Sequence, residues 1–216
     1  MRELVLKMHV SVDGFVAGPA GESDWIFRSL DEPATNWMLD TLWQAGVHIM
    51  GSHAFLDMAA WWPVSPEPQA APMNEIPKIV FSKSKTLPHR EDGRANPSLE
   101  GVARALEARD MKPLPLPPSS AKSWNEARVA SGELADEIAR LKSQSGKFIL
   151  AHGGASFAQS LARLGLIDEY RLLIHPVALG KGLPLFSRLA RQVDLRLVNS
   201  VAFNLGVIAN IYRPKK

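Results

Sequence analysis

The sequence predicts an α/β fold around a mainly parallel sheet that ends in an antiparallel pair of strands. The order of apolar strand, glycine and helix occurs twice, around Gly51 and around Gly153-Gly154. Strand and helix patterns also alternate along most of the chain, which is typical of parallel sheets. Two closing strands, at about 193–200 and 206–213, are joined by so few residues that they should be antiparallel.

The first predicted element is a buried strand at Leu4–Val12, which is rich in Val and Leu. It ends at Asp13-Gly14, a dipeptide that favours a turn. The next segment, Phe15–Trp25, is rich in glycine and predicts a loop that is long enough to act as a lid.

Shorter apolar runs predict the elements that follow. A helix at about 34–45 should have Thr35 or Asn36 near its cap. Further strands are expected at 47–50, 78–81, near Val129, at 147–152 and at 169–177. Further helices are expected from Gly51 to Trp61-Trp62-Pro63, at 132–143 and at 155–164.

Residues 88–122 differ in composition from the rest of the chain, because six prolines surround one amphipathic segment, Leu99–Arg109. We interpret them as a proline-rich surface insertion that contains one helix. The whole pattern predicts a single domain over residues 1–216.

Composition and charge exclude several classes of protein. With 46% hydrophobic and 22% charged residues, the chain has the balance of a soluble globular protein with a sizeable core. The formal charge is +3 with scattered positive residues, so nucleic acid is not favoured as a partner. There is no cysteine, and the six histidines show no metal-ligand spacing, so no metal is expected. No apolar run approaches the length of a membrane span or a signal-peptide core, so we expect no membrane partner and a cytoplasmic protein.

Gly153-Gly154 is the most informative dipeptide, because it lies between an apolar strand and a helix. Glycine lets the backbone approach a ligand closely, and the first turn of a helix offers unpaired N–H groups and the positive end of its dipole. The pattern therefore predicts phosphate binding, although a tight strand-to-helix connection uses the same residues.

The chain resembles the dihydrofolate reductase-like proteins in four separated segments. These are SVDGFVAG at 11–18, MGSHAF at 50–55, SKS at 82–84, and the stretch from GGASF to PVALGKGLPLF at 153–186. The resemblance is to the branch similar to the C-terminal reductase domain of bifunctional riboflavin biosynthesis proteins. It implies a three-layer α/β/α fold with a mainly parallel mixed central sheet, and a homodimer formed through the C-terminal strands.

The resemblance also implies NADPH as the cofactor. The implied cofactor-binding residues are Val16, Ala17, Gly51, Ser52, His53, Ser82, Lys83, Ser84, Gly153, Gly154, Ala155, Ser156 and Phe157. Backbone N–H groups of the segment from Gly153 would meet the pyrophosphate and the nicotinamide-side ribose, and Val16 and Ala17 would meet the carboxamide. Gly51, Ser52 and His53 would contact the phosphates or the 2′-phosphate, and Ser82–Ser84 would contact the 2′-phosphate. Trp25 would lie near the mouth of the substrate pocket.

The sequence departs from the family in two respects. Ser52 stands where the family usually has an arginine, which removes a bidentate positive charge from the phosphate site. No carboxylate stands clearly at the position of the folate-reductase acid, which leaves Asp13, Asp31 and Asp40 as candidates. We favour Asp13 as the catalytic residue, although an aspartate in an Asp-Gly turn also caps backbone N–H groups.

These features predict an NADPH-dependent reductase that transfers a hydride to a pterin-like or pyrimidine-like heterocycle, or to another small C=N or C=O substrate. One riboflavin-pathway activity within this class is 5-amino-6-(5-phosphoribosylamino)uracil reductase activity. The alternative is a non-catalytic nucleotide-binding protein that retains the fold, which Ser52 and the missing acid suggest. Asp168-Glu169 matches a family signature, and we assign it the structural task of fixing the start of a strand.

Overall fold

The computed structural model describes residues 1–86, 122–187 and 189–215. Its strands are β1 Leu4–Ser11, β2 Phe15–Ala17, β3 Ala45–Gly51, β4 Lys78–Phe81, β5 Arg128–Ala130, β6 Phe148–Ala151, β7 Glu169–His175, β8 Leu183–Pro184, β9 Leu195–Ala202 and β10 Ile208–Pro214. Its α-helices are α1 Glu32–Trp43, α2 Ser52–Trp61, α3 Ala70–Glu75, α4 Lys122–Asn125, α5 Leu134–Ser143 and α6 Ala155–Arg163. Short 3₁₀ helices cover Asp24–Ser29 and Trp62–Val64.

Eight of these strands form one sheet, in the order β5-β4-β3-β6-β1-β7-β10-β9. The strands from β5 to β7 are all parallel, whereas β10 is antiparallel to both β7 and β9. The predicted α/β fold, with its mainly parallel sheet and antiparallel C-terminal pair, is therefore confirmed.

Helices cover both faces of the sheet and produce the three predicted layers. On one face, α5 and α6 bury Ile138 and Leu161 against the alternate residues of β1 that begin with Leu4. On the other face, α2 and the segments around α3 and α4 pack against Val5 and Leu150. Successive residues of a strand point to opposite faces, so β1 contributes to both layers.

The predicted cap of the first helix is wrong. Helix α1 begins two residues earlier than predicted, and its cap is Asp31, whose Oδ1 accepts the N–H of Ala34 at 2.9 Å. Asp31 Oδ2 also accepts the N–H of Leu205 at 3.3 Å. Thr35 and Asn36 lie inside the helix, where no orphan N–H group requires their side chains.

Some short elements were not predicted. They are α3, α4, and the antiparallel pairing of β2 with β8. Lys122, which the sequence places in the proline-rich insertion, begins α4. The rest of that insertion, including the helix expected at Leu99–Arg109, lies outside the described residues.

The structural task predicted for Asp168 is confirmed. Its Oδ2 accepts the N–H of Leu4 at 2.7 Å and lies 2.6 Å from Nζ of Lys142. These contacts join the beginnings of β1 and β7 to α5. None of the helices in the described part of the chain has the length and apolarity needed to cross a membrane.

The cap at Asp31 can be tested with Asp31→Ala. We expect the free energy of unfolding to fall by about 1–2 kcal/mol, because two N–H groups lose their acceptor. Chemical denaturation at pH 7 measures this loss, and Asn36→Ala is the matched control at the position that the sequence favoured. Equal losses in the two variants would contradict the assignment of Asp31 as the cap.

Candidate active site

The site lies where the chain leaves two neighbouring parallel strands, β3 and β6, toward opposite faces of the sheet. After β3 the chain enters α2, whose Ala54 and Phe55 pack on one face. After β6 it enters α6, whose Phe157 and Leu161 pack on the other face. Such a divergence opens a crevice at the carboxyl ends of the strands, which is where α/β proteins bind ligands.

Glycines let the starts of α2 and α6 approach each other at this crevice. A Cβ atom added to Gly51 would lie 3.2 Å from Cβ of Phe157, and one added to Gly154 would lie 3.8 Å from Cβ of Ala54. Gly154 has a φ of 46°, a left-handed conformation that favours glycine. Neither helix start has a side-chain cap, so backbone N–H groups at both remain to bind an anion.

The structure places the other predicted phosphate contacts at the same edge of the sheet. Ser82, Lys83 and Ser84 follow β4, which pairs with β3, so they lie beside the start of α2. The hydroxyls of Ser82 and Ser84 are 2.8 Å apart, and Lys83 is exposed. His53 is exposed on the first turn of α2.

Phe157 differs from the other residues predicted at the start of α6. Its N–H already donates to the carbonyl of Gly154 at 3.0 Å, so the expected backbone contact with a cofactor is not offered. Its ring is buried, with its centroid 5.1 Å from that of Phe81. The N–H groups nearest the crevice therefore belong to Gly154, Ala155 and Ser156.

Asp13 anchors a loop. Its carboxylate accepts the Ser11 hydroxyl at 2.6 Å and the N–H groups of Leu179 and Gly180 at 3.1 and 2.7 Å. The hydrogen bond from Ser11 and those from the two backbone groups lower the pKa of Asp13. A carboxylate held in this way accepts hydrogen bonds rather than supplying a proton, so a catalytic role for Asp13 stays a prediction without support from its contacts.

The predicted lid loop is tied down at its beginning. Val16 is buried in β2, and Ala17 pairs with Leu183 of β8, so the carboxamide contacts expected of these residues stay predictions. Further along the loop, Trp25 is 4% exposed and packs edge-on against the ring of His175 at 5.3 Å. Its Nε1 has no hydrogen-bond partner among the described residues, and its predicted place near the substrate is likewise untested.

A row of basic and imidazole side chains, which the sequence analysis missed, lies on the face covered by α1 and α2. In order across the sheet, the row contains Lys78, His48, His152, Lys7, His9 and His175. The register pairs Leu6 with Ala151, so Lys7 is level with His152, the residue before Gly153. The middle of the row, at His152 and Lys7, therefore lies beneath the crevice.

Lys7 and His9 line a recess between the helices. Both lie on β1, in the interior of the sheet, yet both are only half-buried, whereas His48, His152 and His175 are buried. A central strand keeps exposed side chains only where the covering layer leaves a gap. By register, Lys7 lies beside His152 at the carboxyl end of β6, next to the glycines of the crevice.

Burial is the first cause of the pKa shifts in this row. It lowers the pKa of Lys7 to about 8, against the opposing charge of Glu67, and that of Lys78 to about 7. It also lowers the pKa of His175 to about 4 and holds those of His9 and His152 well below their ordinary value. At neutral pH the histidines are therefore uncharged, and Lys7 is mainly protonated and can release its proton. Within the described residues, no three His, Asp or Glu side chains form a group that could hold a metal ion.

The remaining carboxylate candidates are Asp31 and Asp40. Asp31 caps α1, as described above, and Asp40 lines an open concavity of about 510 Å³ with Trp43, Gln44, Lys147 and Phe148. That concavity is at the amino ends of β3 and β6, the opposite edge of the sheet from the glycines. Asp40 is therefore not placed to exchange a proton at the crevice, and a catalytic role for Asp31 stays a prediction.

The family model of the RibD C-terminal domain matches residues 2–209. The chain belongs to the RibD C-terminal domain family. It is 29% identical over 213 residues to the uncharacterized protein YyaP of Bacillus subtilis, and the match covers 98% of this chain and 94% of YyaP.

Solved structures show the same fold. A putative riboflavin biosynthesis protein from Shewanella sp. PV-4 matches with a TM-score of 0.67 at 20% identity, over 99% of both chains. A diaminohydroxyphosphoribosylaminopyrimidine deaminase/5-amino-6-(5-phosphoribosylamino)uracil reductase from Thermotoga maritima matches with a TM-score of 0.63 at 15% identity, over 99% of this chain and 57% of that one. Dihydrofolate reductase from Enterococcus faecalis, complexed with NADP(H), matches with a TM-score of 0.54 at 10% identity, over 99% of this chain and 97% of that one. The family resemblance and the dihydrofolate reductase-like fold are confirmed.

The homodimer implied by the resemblance stays a prediction. β9 is one of the two outer strands of the sheet, and most of its residues are exposed. Leu197 and Val198 are 51% and 46% exposed, and pairing with a second copy would cover these side chains.

The buried histidines predict a loss of stability in acid. The unfolded chain binds protons at these rings as the pH falls through about 6.5, whereas His48 in the folded chain, with a pKa of about 3, does not. Burial and the neighbouring Lys78 and Lys7 lower this pKa, and the Leu42 carbonyl only partly opposes them. Stability therefore decreases below pH 6.5, and His48 accounts for about 2 kcal/mol of that decrease between pH 7 and pH 4.5.

His48→Phe tests this origin, because it keeps an aromatic ring beside His152 and removes the titrating group. We expect the difference between the unfolding free energies at pH 7 and pH 4.5 to shrink by about 2 kcal/mol in urea titrations. His53→Phe, at an exposed ring on α2, is the control. An unchanged pH dependence in His48→Phe would show that this ring is not the source.

Proposed function

We propose that this protein is an NADPH-dependent reductase that transfers a hydride to a C=N or C=O carbon of a small heterocyclic substrate. The observation that carries this proposal is the juxtaposition of two uncapped helix starts at Gly51 and Gly154 with a half-buried lysine one strand away. The two helix starts can bind the phosphates of a dinucleotide, and the lysine can transfer a proton.

The residues at the crevice fit a phosphorylated dinucleotide. Ser52 and Ser156 are each in the first turn of a helix whose backbone N–H groups carry no side-chain cap. Lys83 and the hydroxyls of Ser82 and Ser84 offer a cation and donors beside α2, in partial replacement of the arginine that the family usually has at Ser52. When bound, NADPH would supply the hydride; the chain itself supplies position, charge balance and a proton.

Lys7 is the group best placed to give that proton. A protonated Lys7 would break one N–H bond as the substrate nitrogen or oxygen forms its own, and the resulting neutral amine would take a proton from water when the recess opens. Its pKa of about 8 keeps it protonated at neutral pH and makes the transfer easier than from an ordinary lysine. Asp13, the residue favoured from the sequence, would instead hold the loop at 179–180 beside the site.

The substrate class follows from the wall of the recess. Lys7 offers N–H donors, while the partly exposed ring of His9 provides a flat, uncharged neighbour. A planar heterocycle with carbonyl or imine groups suits such a wall, and 5-amino-6-(5-phosphoribosylamino)uracil and dihydrofolate are two probes of this kind.

The cofactor is tested first, by thermal unfolding with NADPH, NADP⁺, NADH and no ligand. At about 100 times its dissociation constant, NADPH should add about 2.7 kcal/mol and raise the midpoint by roughly 5–11 °C. In Ser52→Asp we expect most of that shift to be lost, because a carboxylate at the start of α2 repels the phosphates. The same carboxylate interacts favourably with the helix dipole, so the fold should be kept.

Thr35→Asp, at the first turns of α1, adds the same charge away from the crevice and is the control. Its NADPH shift should equal that of the unchanged protein. If no nicotinamide cofactor shifts the unfolding midpoint, the cofactor assignment is rejected. The hypothesis of a non-catalytic protein that retains the reductase fold is then favoured.

The proton donor is tested by Lys7→Met, which keeps the length of the side chain without its amine. We expect kcat to fall by about 10²- to 10⁴-fold with either probe substrate, while the NADPH thermal shift is kept. In the unchanged protein kcat should fall as the pH rises through about 8, since the donor is active only when protonated.

Glu67→Gln refines the pH test. The Glu67 carboxylate raises the pKa of Lys7, so its removal should move the decrease in kcat to lower pH. The other titratable groups facing Lys7 are His9, His48, His152 and His175, which are uncharged near pH 8. A rate that stays constant up to pH 10 would exclude Lys7 as the donor.

A further inference from the structure

A chain of three hydrogen bonds leads from Lys7 to a buried serine on another part of the fold. Lys7 Nζ is 3.0 Å from His9 Nε2, and His9 Nδ1 is 2.8 Å from His175 Nε2. His175 Nδ1 is 2.8 Å from the hydroxyl of Ser29. Residues 166 positions apart are thus joined through ring nitrogens, with no other group between them.

The direction of these bonds is determined by the lysine. A protonated amine carries donors and no acceptor, so His9 Nε2 must accept and His9 Nδ1 must hold the ring proton. His9 Nδ1 then donates to His175 Nε2, which leaves the proton of His175 on Nδ1, directed at Ser29. A second proton on either ring would turn one acceptor into a donor and break a bond, so both rings are neutral in this arrangement.

The surroundings agree with neutral rings. His175 and Ser29 are buried, and burial together with the charge of Lys7 lowers the pKa of both histidines. The ring of His175 is also fixed from the side by the edge-on contact with Trp25. Trp25 and Ser29 both belong to the 3₁₀ helix Asp24–Ser29, so one segment orients His175 by two kinds of contact.

We propose that His9 and His175 are positioning residues, which hold the amine of Lys7 toward the substrate through a one-way hydrogen-bond chain that ends on Ser29. This inference rests on the proposed function, because it concerns the proton donor of the reductase. If the chain orients Lys7 in this way, the position of the segment 24–29 determines the direction of the Lys7 amine. Neither ring passes a proton to the substrate.

A positioning role differs from proton relay in what can replace His9. A glutamine can accept from Lys7 through its carbonyl and donate to His175 through its amide, which reproduces the one-way chain without a titrating group. A leucine can do neither. His9→Gln and His9→Leu therefore separate the two roles.

The first test is independent of turnover and uses the full chain with ¹⁵N-labelled histidine. The ¹⁵N shifts at pH 7 should show neutral rings with the proton on Nδ1 for both His9 and His175. In Ser29→Ala, His175 Nδ1–H loses its acceptor, so the Nδ1 signal of His175 should shift while both tautomers, which Lys7 determines, are kept. In Lys7→Met we expect mixed tautomers at both rings. Thr41→Val removes another buried hydroxyl, one that contacts Arg171, and should leave both rings unchanged. A proton on Nε2 of either ring, or a charged ring, would overturn the chain.

The second test measures reduction of 5-amino-6-(5-phosphoribosylamino)uracil, or of dihydrofolate, by NADPH. His9→Leu and His175→Phe should lower kcat by about 10- to 100-fold with KM for NADPH unchanged, whereas His9→Gln should stay within about three-fold of the unchanged protein. Loss of activity in His9→Gln equal to that in His9→Leu would overturn positioning in favour of relay. Reduction of neither probe, with the predicted tautomers still present, would remove the proposed function and this role with it, but would leave the chain as a structural fact.

Discussion

The pairing of β3 with β6 is the constraint on which the site depends. Because the chain leaves these neighbouring strands toward opposite faces, the starts of α2 and α6 must meet over the edge of the sheet. That approach requires glycine, since a side chain at Gly51 would press on Phe157 and one at Gly154 would be strained. The two helix starts thereby face the same crevice with unpaired N–H groups, which neither helix could offer alone.

β1 links this crevice to the proposed chemistry. Its apolar residues Leu4 and Leu6 build one layer of the core, while Lys7 and His9, on the alternate positions, face the other layer. A shift of one residue in register would bury the lysine among the apolar side chains of α5 and α6. The parallel pairing with β6 and β7 and the anchor at Asp168 therefore fix both the core and the direction of the proton donor.

The sequence predicted those features that are encoded locally. Strand, glycine and helix follow one another around Gly51 and Gly153, so both helix starts could be placed without a structure. The cap at Asp31 was missed because the apolar pattern begins at Ala34, although an aspartate followed by Pro33 is a known helix start. The pairing of β2 with β8 and the contact of His9 with His175 join residues far apart in sequence, and no local pattern contains them.

The two layers of the molecule differ in a way that packing alone does not explain. The layer beneath α1 and α2 buries Lys78 and three histidines outright and half-buries Lys7 and His9. Among the described residues, none of the strand residues that face α5 and α6 is a buried polar residue. Within the described residues, neither ring nitrogen of the buried His48 has a hydrogen bond of ordinary geometry, and such imidazoles reduce stability unless something else requires them. Local violations of good packing collect where function is selected. The place of these side chains below the glycine crevice indicates, without reference to any related protein, that this face of the sheet carries the function.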